Sequence, residues 1–256
     1  MEGCAGTHRH RTFGGGGRCW VARLGRIDYD RAAVTYDQGR AHPLPVFAEW
    51  RQRLGEYLPL AARGPVLDVG AGTGIWANAI AEWFEIPVVA VEPSVQMRSR
   101  ASAKPLPPGV AIVAGDGEAI PLRDASCRAA WLSTVIHYLP DLGAGATELA
   151  RVLTVDAPVL IRSSFPGRHD EIPLFRYFPG AGRVANTFPT VDEAVAACAA
   201  GFSLVVLRHD ADAVGDREHH HEQRLVVGRH AGIGQRRYVD RAQLAGRHRP
   251  QAGRVR

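Results

Sequence analysis

The sequence lacks most of the features that mark secreted, zinc-binding or membrane proteins. Its four cysteines, Cys4, Cys19, Cys127 and Cys198, lie far apart, with neither the spacing of a zinc site nor that of a disulfide framework. No stretch reaches the run of about 18 uncharged apolar residues that a membrane-spanning helix needs, and the N-terminus has no apolar signal segment. These absences predict a cytoplasmic protein without a metal site or a membrane span.

Positive charge is concentrated at the two ends of the chain. The formal net charge is +5 over 256 residues, but the excess lies in the Gly- and Arg-rich start and in the Arg- and His-rich end, whereas the interior is close to neutral. We therefore expect no nucleic-acid partner, since the charge lies outside the patterned part of the chain. The pattern predicts a disordered leader over residues 1–25, one domain over 26–214, and a basic tail over 215–256 that is disordered or translated out of frame.

Short apolar runs alternate with helical stretches between these ends. The predicted strands are Val66–Val69, Val88–Val91, Ala111–Val113, Ala129–Ser133, Val159–Ser163 and Phe202–Leu207, and a helix over Leu44–Leu60 precedes them. This order is typical of an α/β fold with a doubly wound, mostly parallel Rossmann-like sheet and helices on both faces. Because the regular pattern fails after Val214, the C-terminal end of the fold is expected to be incomplete. Ligands of such sheets bind at the carboxyl ends of the strands.

The strongest motif is the segment from Val66 to Gly74, an apolar strand that runs into a Gly-rich turn and a helix. Gly70 permits the turn, Gly72 removes a side chain where a ligand approaches the backbone, and Gly74 allows close packing of the helix. The spacing is G-x-G-x-G, whereas a dinucleotide site would need a third glycine at Ile75. Asp68 would also repel a pyrophosphate, so the motif favours a cationic cofactor over NAD.

Two further acidic residues follow the next predicted strands. Glu92 ends the second strand, 18 residues beyond Gly74, where a carboxylate can accept hydrogen bonds from both hydroxyls of a ribose. Asp116, in a Gly-Asp-Gly turn after the third strand, could accept a hydrogen bond from an adenine amino group. A surface glutamate and an ordinary turn are the simpler alternatives for these two residues.

Together these motifs resemble class I S-adenosylmethionine-dependent methyltransferases, especially small-molecule enzymes of the ubiquinone/menaquinone-biosynthesis type. The resemblance covers residues 28–208 and is carried by Val66–Ala77, Glu92–Ser94, Gly115–Asp116 and Ile136–Pro140. It implies S-adenosyl-L-methionine as the cofactor, with the methionine part near the glycines, the ribose on Glu92 and the adenine near Asp116. The cofactor-binding residues implied are Tyr36, Arg40, Asp68, Gly70, Ala71, Gly72, Gly74, Glu92, Pro93, Asp116, Gly117 and Ser133.

The resemblance also extends to a lid, a candidate base and an acceptor pocket. Tyr29, Tyr36 and Arg40 lie in a segment that resembles the part of the family that closes over the cofactor; a surface segment with tyrosines packed on the core is the alternative. His137, just after the fourth strand, is the candidate catalytic base, with a structural histidine as the alternative. Aromatic residues between 165 and 190 could wall a pocket for a small, partly apolar acceptor, with an ordinary packed cap as the alternative.

Three functions remain open on the sequence alone. The first is a small-molecule methyltransferase, and the second is a degenerate homologue that binds the cofactor without turnover. The third, an RNA methyltransferase, ranks last because the basic tail has few aromatic residues on which bases could stack. The family ends in a helix and an antiparallel hairpin, whereas this chain becomes Arg- and His-rich, so an exposed sheet edge is expected if the tail replaces the last strand.

Overall fold

The computed structural model describes seven parts of the chain, namely residues 29–40, 44–163, 165–166, 179–198, 202–207, 224–230 and 239–240. Its helices are α1 (Tyr29–Ala32), α2 (Tyr36–Arg40), α3 (Leu44–Tyr57), α4 (Ile75–Phe84), α5 (Val95–Ser102), α6 (Leu142–Val152), α7 (Pro179–Ala185) and α8 (Val191–Cys198). Its strands are β1 (Val66–Val69), β2 (Val88–Glu92), β3 (Val110–Ala114), β4 (Ala129–Ser133), β5 (Pro158–Ser163), β6 (Phe202–Leu207), β7 (Arg224–His230) and β8 (Val239–Asp240). The six predicted strands match β1 to β6 within one residue at each end.

The strands form one sheet in the order β3-β2-β1-β4-β5-β7-β6-β8. The first five strands pair in parallel, with Val66 of β1 opposite Val88 of β2 and Ala129 of β4. From β1 the chain builds outward to β3 and then returns to place β4 on the other side of β1. This reversal beside β1 is the position where open α/β sheets bind their ligands, and the predicted doubly wound fold is confirmed.

Each face of the sheet packs against its own set of helices. Leu67 and Val69 point to the face covered by α6 and α8, whereas Val66 points to the face covered by α3 and α4. The second face is rich in aromatic side chains: the Trp76 ring lies 5.2 Å from that of Trp131 and 6.0 Å from that of Trp50. This alternation follows from the two-residue period of a strand. Among the described residues, a crevice lies at the carboxyl edge of the sheet, between these two layers of helices.

The C-terminal part of the sheet differs from the sequence-based expectation. Residues 224–230 belong to the tail that was expected to be disordered or translated out of frame, and they form β7, an antiparallel strand between β5 and β6. The parallel edge at β5 is therefore covered, and a hairpin-like pair of strands completes this side of the sheet. Paired neighbours on both sides stabilise β7 even though its sequence does not alternate between polar and apolar residues. The predicted leader 1–25 and most of the tail lie outside the described residues.

None of the helices in the described part of the chain is long and apolar enough to span a bilayer. The division of the chain at residues 25 and 214 stays a prediction.

Candidate functional site

The turn after β1 requires glycine for two different reasons. Gly70, Gly72 and Gly74 all have left-handed backbone angles, with φ of +66°, +57° and +77°. A Cβ on Gly70 would overlap Cγ2 of Val135 and lie 3.0 Å from its Cβ. The nearest atoms that a Cβ on Gly72 would meet belong to the side chain of Tyr36, at 3.7 to 3.9 Å. Gly70 therefore allows the turn to pack, whereas Gly72 keeps the floor beneath Tyr36 free of a side chain.

Asp68 places a carboxylate inside the protein at the end of β1. The residue is 1% exposed, and the nearby backbone N–H of Ala77 acts to lower the pKa of its carboxyl group. Its Oδ2 atom has no hydrogen-bond partner among the described residues. Burial, and then the charge of Glu92, holds the pKa of Asp68 well above its ordinary value. A ligand that brings a positively charged donor to Oδ2 would satisfy this oxygen and would offset the cost of a charged carboxylate in a buried position.

Glu92 connects the end of β2 to the Gly-rich turn. Its Oε2 accepts from the backbone N–H of Gly72 at 2.8 Å, and its Oε1 accepts from that of Ser94 at 2.9 Å. Burial raises the pKa of Glu92, while these two N–H groups act in the opposite direction. Each carboxylate oxygen keeps a second lone pair, so Glu92 can still accept hydrogen bonds from ligand hydroxyls.

An open crevice lies at the carboxyl ends of β1, β4 and β5. It encloses about 430 Å³ of space continuous with solvent and is lined by Tyr36, Asp68, Gly70, Ala71, Thr73, Ile75, Trp76, Ser133, Thr134 and Arg162. Thr134 has a φ of +58°, which is strained for a residue with a branched side chain, and its Oγ1 has no partner among the described residues. Strain at such a position is typical of functional sites.

The N-terminal segment covers the Gly-rich turn through two anchoring carboxylates. Asp37 accepts a hydrogen bond from the Thr73 hydroxyl and pairs with Lys104 at 2.7 Å, and Lys104 also donates to the Thr73 carbonyl at 2.9 Å. Asp30 accepts from the Ser94 hydroxyl at 2.6 Å and from the backbone N–H of Gln96 at 3.1 Å. These contacts place Tyr36 over Gly72.

Tyr29, the other aromatic lid candidate, packs between two rings. Its centroid lies 6.2 Å from that of Tyr36 and 5.3 Å from that of Tyr138. It therefore supports the lid from the side. Arg40 belongs to α2, and its side chain lies outside the described residues.

The predicted adenine residues lie beyond the ends of β2 and β3. Asp116 is exposed, and its Oδ1 accepts from the backbone N–H of Glu118 at 2.9 Å. Gly117 is buried, and a Cβ there would lie 2.5 Å from Leu139 and 3.3 Å from Val69. Pro93 is exposed, and its carbonyl accepts from Arg98 at 2.8 Å. Asp116 keeps acceptor capacity for a ligand, whereas the packing of Gly117 explains why a glycine stands there.

His137 lies in a short 3₁₀ turn, Ile136–Tyr138, and is 2% exposed. Its ring stacks on that of Phe188, with centroids 3.9 Å apart and planes 8° from parallel. It is not among the residues that line the crevice, although Ser133, four residues earlier, is. A general base needs hydrogen-bond reach to its proton, so this geometry favours the structural alternative. The catalytic role of His137 stays a prediction.

Sequence reasoning missed three residues that shape the site. Asp37 and Lys104 are 67 residues apart, and nothing in their local sequence indicates that they meet. Arg162 offered a signal, because a charged residue stands inside the apolar run of β5 at the end that faces the site. A buried arginine at a strand end is rare without a function or a partner.

Comparison with known proteins agrees with this geometry. Residues 67–161 match the family described as "Methyltransferase domain". The chain is 30% identical over 193 residues to a malonyl-[acyl-carrier protein] O-methyltransferase of Laribacter hongkongensis, covering 71% of this chain and 64% of that protein. It is 27% identical over 158 residues to a demethylmenaquinone methyltransferase of Lactiplantibacillus plantarum, covering 59% of this chain and 67% of that protein.

A solved structure shows the same fold. A putative S-adenosyl-L-methionine-dependent methyltransferase of Methanococcus maripaludis superposes with a TM-score of 0.64 over 81% of this chain and 96% of that chain, at 16% identity. This likeness shows that the fold is shared. The domain match and the two curated relatives confirm the resemblance to methyltransferases, and the domain match implies S-adenosyl-L-methionine as the cofactor. The chain spans 64% of the Laribacter protein and 48% of a further relative, an uncharacterized methyltransferase of Mycobacterium bovis.

Proposed function

We propose that this chain, which carries a methyltransferase domain over residues 67–161, transfers a methyl group from S-adenosylmethionine to a small-molecule acceptor. One observation carries the proposal most directly. A buried carboxylate with an unsatisfied oxygen, on Asp68, stands beside a glycine floor and a second buried carboxylate, on Glu92. Two acids in so little solvent favour a ligand that carries positive charge and hydroxyl donors.

Residues that line the crevice, together with Glu92 and Asp116 at the ends of the neighbouring strands, fit the parts of that cofactor. S-adenosylmethionine, when bound, supplies a methyl group on a positively charged sulfur that a nucleophile can attack. Asp68 would bind the ammonium group of its methionine part, and Glu92 would accept hydrogen bonds from the ribose hydroxyls. Asp116 would accept from the adenine amino group, and Tyr36 would cover the cofactor from the side of α2. Ala71 and Thr73 supply the backbone around the glycines.

Catalysis by these residues would be mainly positioning. Alignment of an acceptor with a bound methyl donor removes much of the barrier without a dedicated catalytic group. The crevice would hold the methyl donor between β1 and β4. Ser133 and Thr134 form the wall of the crevice where β4 ends. The anchored α1–α2 segment limits the access of water from above.

The acceptor is proposed to be small and partly apolar. Phe165 is buried at the end of β5, and Phe188 stacks on His137, so aromatic surface lies near the carboxyl edge of the sheet. The two curated relatives act on different acceptors by their names, which leaves the acceptor to be identified by experiment. No feature of the described residues favours the degenerate homologue or the RNA methyltransferase. Because Cys127 and Cys198 are buried free thiols, we also propose a cytoplasmic location.

A transfer assay tests the proposal. Purified protein would be incubated with S-adenosylmethionine labelled with tritium in the methyl group and with pooled cellular metabolites, and label would be counted in the organic extract. We expect label transfer by the wild type and none by the Asp68→Asn variant. Cofactor binding without transfer to any pool would instead support the degenerate homologue.

A further inference from the structure

Arg162 is a buried arginine that the proposed function does not use. It is 4% exposed on β5, and its Nη1 donates to the Ser133 hydroxyl at 2.9 Å. Its guanidinium carbon lies 4.9 Å from the ring centre of Trp76 and 5.1 Å from that of Trp50. Two aromatic faces and a hydroxyl thus hold the charge in one place.

Arg162 and Asp68 face the same crevice from opposite sides. Asp68 of β1 is in register with Trp131 of β4, which is in register with Leu160 of β5. Arg162 follows Leu160 by two residues, so its side chain points to the same face of the sheet as that of Asp68. The two residues are two strands apart and offset by two positions, which puts their Cα atoms about 12 Å from each other. Their side chains reach into the space between. The crevice therefore has a negative wall at β1 and a positive wall at β5.

An α-amino acid group matches this arrangement, because its ammonium and its carboxylate are carried by one carbon atom. We propose that Arg162 binds the carboxylate of the methionine part of S-adenosylmethionine while Asp68 binds its ammonium group. This inference rests on the proposed function and adds a cofactor-binding residue to it. The carboxylate would form charge-assisted hydrogen bonds with a preorganised guanidinium.

Two further observations favour the carboxylate of the cofactor over one of the acceptor as the partner of Arg162. Trp76, which holds the guanidinium, belongs to α4, the helix that starts directly after the Gly-rich turn. Ile75 and Trp76 at the start of this ten-residue helix line the crevice, and the positive end of its dipole also favours an anion there. Ser133, the hydroxyl partner of Arg162, ends the strand next to β1.

Paired ligands test the assignment by calorimetric titration. One ligand is S-adenosylmethionine, and the other is its decarboxylated form, which keeps the ammonium and the sulfonium but lacks the carboxylate. We expect the wild type to bind the complete cofactor about tenfold to a hundredfold more tightly, as a charged hydrogen-bonded pair implies. Arg162→Met should remove that difference by weakening only the complete cofactor, and Arg162→Lys should restore part of it.

Arg128 supplies the matched control. It is a buried arginine, 7% exposed, next to the amino end of β4, where it donates to the carbonyls of Gly64 and Leu60. Arg128→Met should lower the melting temperature yet leave the ratio of the two affinities unchanged. An Arg162→Met protein that loses affinity for both ligands equally would overturn the assignment in favour of a structural role.

The remaining outcomes separate this inference from the proposed function. Unchanged affinity of Arg162→Met for the complete cofactor, together with a raised KM for the acceptor, would place the acceptor's carboxylate on Arg162 and refute the inference alone. A wild type that binds neither ligand would refute the proposed function and the inference with it.

Discussion

Gly70 and Gly72 share a backbone conformation but differ in what surrounds them, so alanine at each should fail in a different way. Both substitutions place a Cβ on a left-handed residue, at a cost of about 1 to 2 kcal/mol. At Gly70 the new Cβ also overlaps Val135, and overpacking of this kind costs about 1 to 3 kcal/mol more. We therefore expect Gly70→Ala to lose about 2 to 5 kcal/mol, and Gly72→Ala about 1 to 2 kcal/mol.

Denaturant unfolding followed by circular dichroism measures these free energies of unfolding. For a domain of this size, the losses correspond to about 4 to 20 °C in melting temperature for Gly70→Ala and about 2 to 8 °C for Gly72→Ala. Cofactor titration should give the reverse ranking, because the Cβ of Gly72→Ala stands beneath Tyr36 in the proposed cofactor site. Gly72→Ala should fold and bind S-adenosylmethionine weakly.

A double-mutant cycle identifies the source of the cost at Gly70. Val135→Ala removes the overlapping Cγ2 atom but leaves the backbone angle unchanged, so it should recover about 1 to 2 kcal/mol of the Gly70→Ala loss. Additive effects of the two substitutions would refute the steric part of the reasoning. Normal cofactor affinity in Gly72→Ala would refute the placement of the cofactor over this glycine.

Three further predictions concern the carboxylates. Because the pKa of Asp68 is raised in the folded protein, its stabilising contribution in the ligand-free state is present at low pH and is lost as the pH rises through that pKa. Asp68→Asn should therefore unfold at a higher temperature than the wild type, and the difference in melting temperature should grow with pH. Differential scanning fluorimetry measures this difference, and a value that does not change with pH would contradict the raised pKa of the buried Asp68 carboxyl group. Glu92→Gln turns an amide N–H₂ towards the backbone N–H of either Gly72 or Ser94. It should lower the free energy of unfolding by about 1 to 3 kcal/mol and remove most of the cofactor affinity. Unchanged heats of cofactor titration would exclude Glu92 from the site. Asp37→Asn should speed hydrogen exchange over residues 29–38. Burial would raise the pKa of Asp37, but hydrogen bonds from Lys104 and Thr73 outweigh it and lower the pKa, so the contribution of Asp37 to stability is lost as the pH falls through that lowered pKa. Glu56→Gln, which removes an exposed ion pair with Arg53, is the control that should leave the exchange unchanged.

Local sequence patterns predicted the strand core and its glycine turn, because those features depend on neighbouring residues. Val66–Val69 is buried on both faces with Asp68 as its one polar residue, and Gly70 is required by its own backbone angle. Glu92 could be anticipated because the topology places the end of β2 beside the turn. These inferences needed only periodicity, chain order and charge.

The remaining features depend on contacts between distant parts of the chain. Asp37 meets Lys104 only after α2 folds over the turn, and Arg162 lies between two tryptophans from separate helices. β7 lacks an alternating pattern and is a strand because β5 and β6 pair with it. His137 follows β4, but stacking on Phe188 turns it into the core, which its position after a strand could not reveal.

The buried carboxylates around the Gly-rich turn are proposed to bind a positively charged nucleoside. Calorimetric titration of the wild-type protein with S-adenosylmethionine at increasing pH tests this proposal most directly. The wild type should show one site per chain and an affinity that rises as Asp68 loses its proton, and both features should be absent in Asp68→Asn. Absence of binding at every pH, or identical titrations of the two proteins, would contradict it.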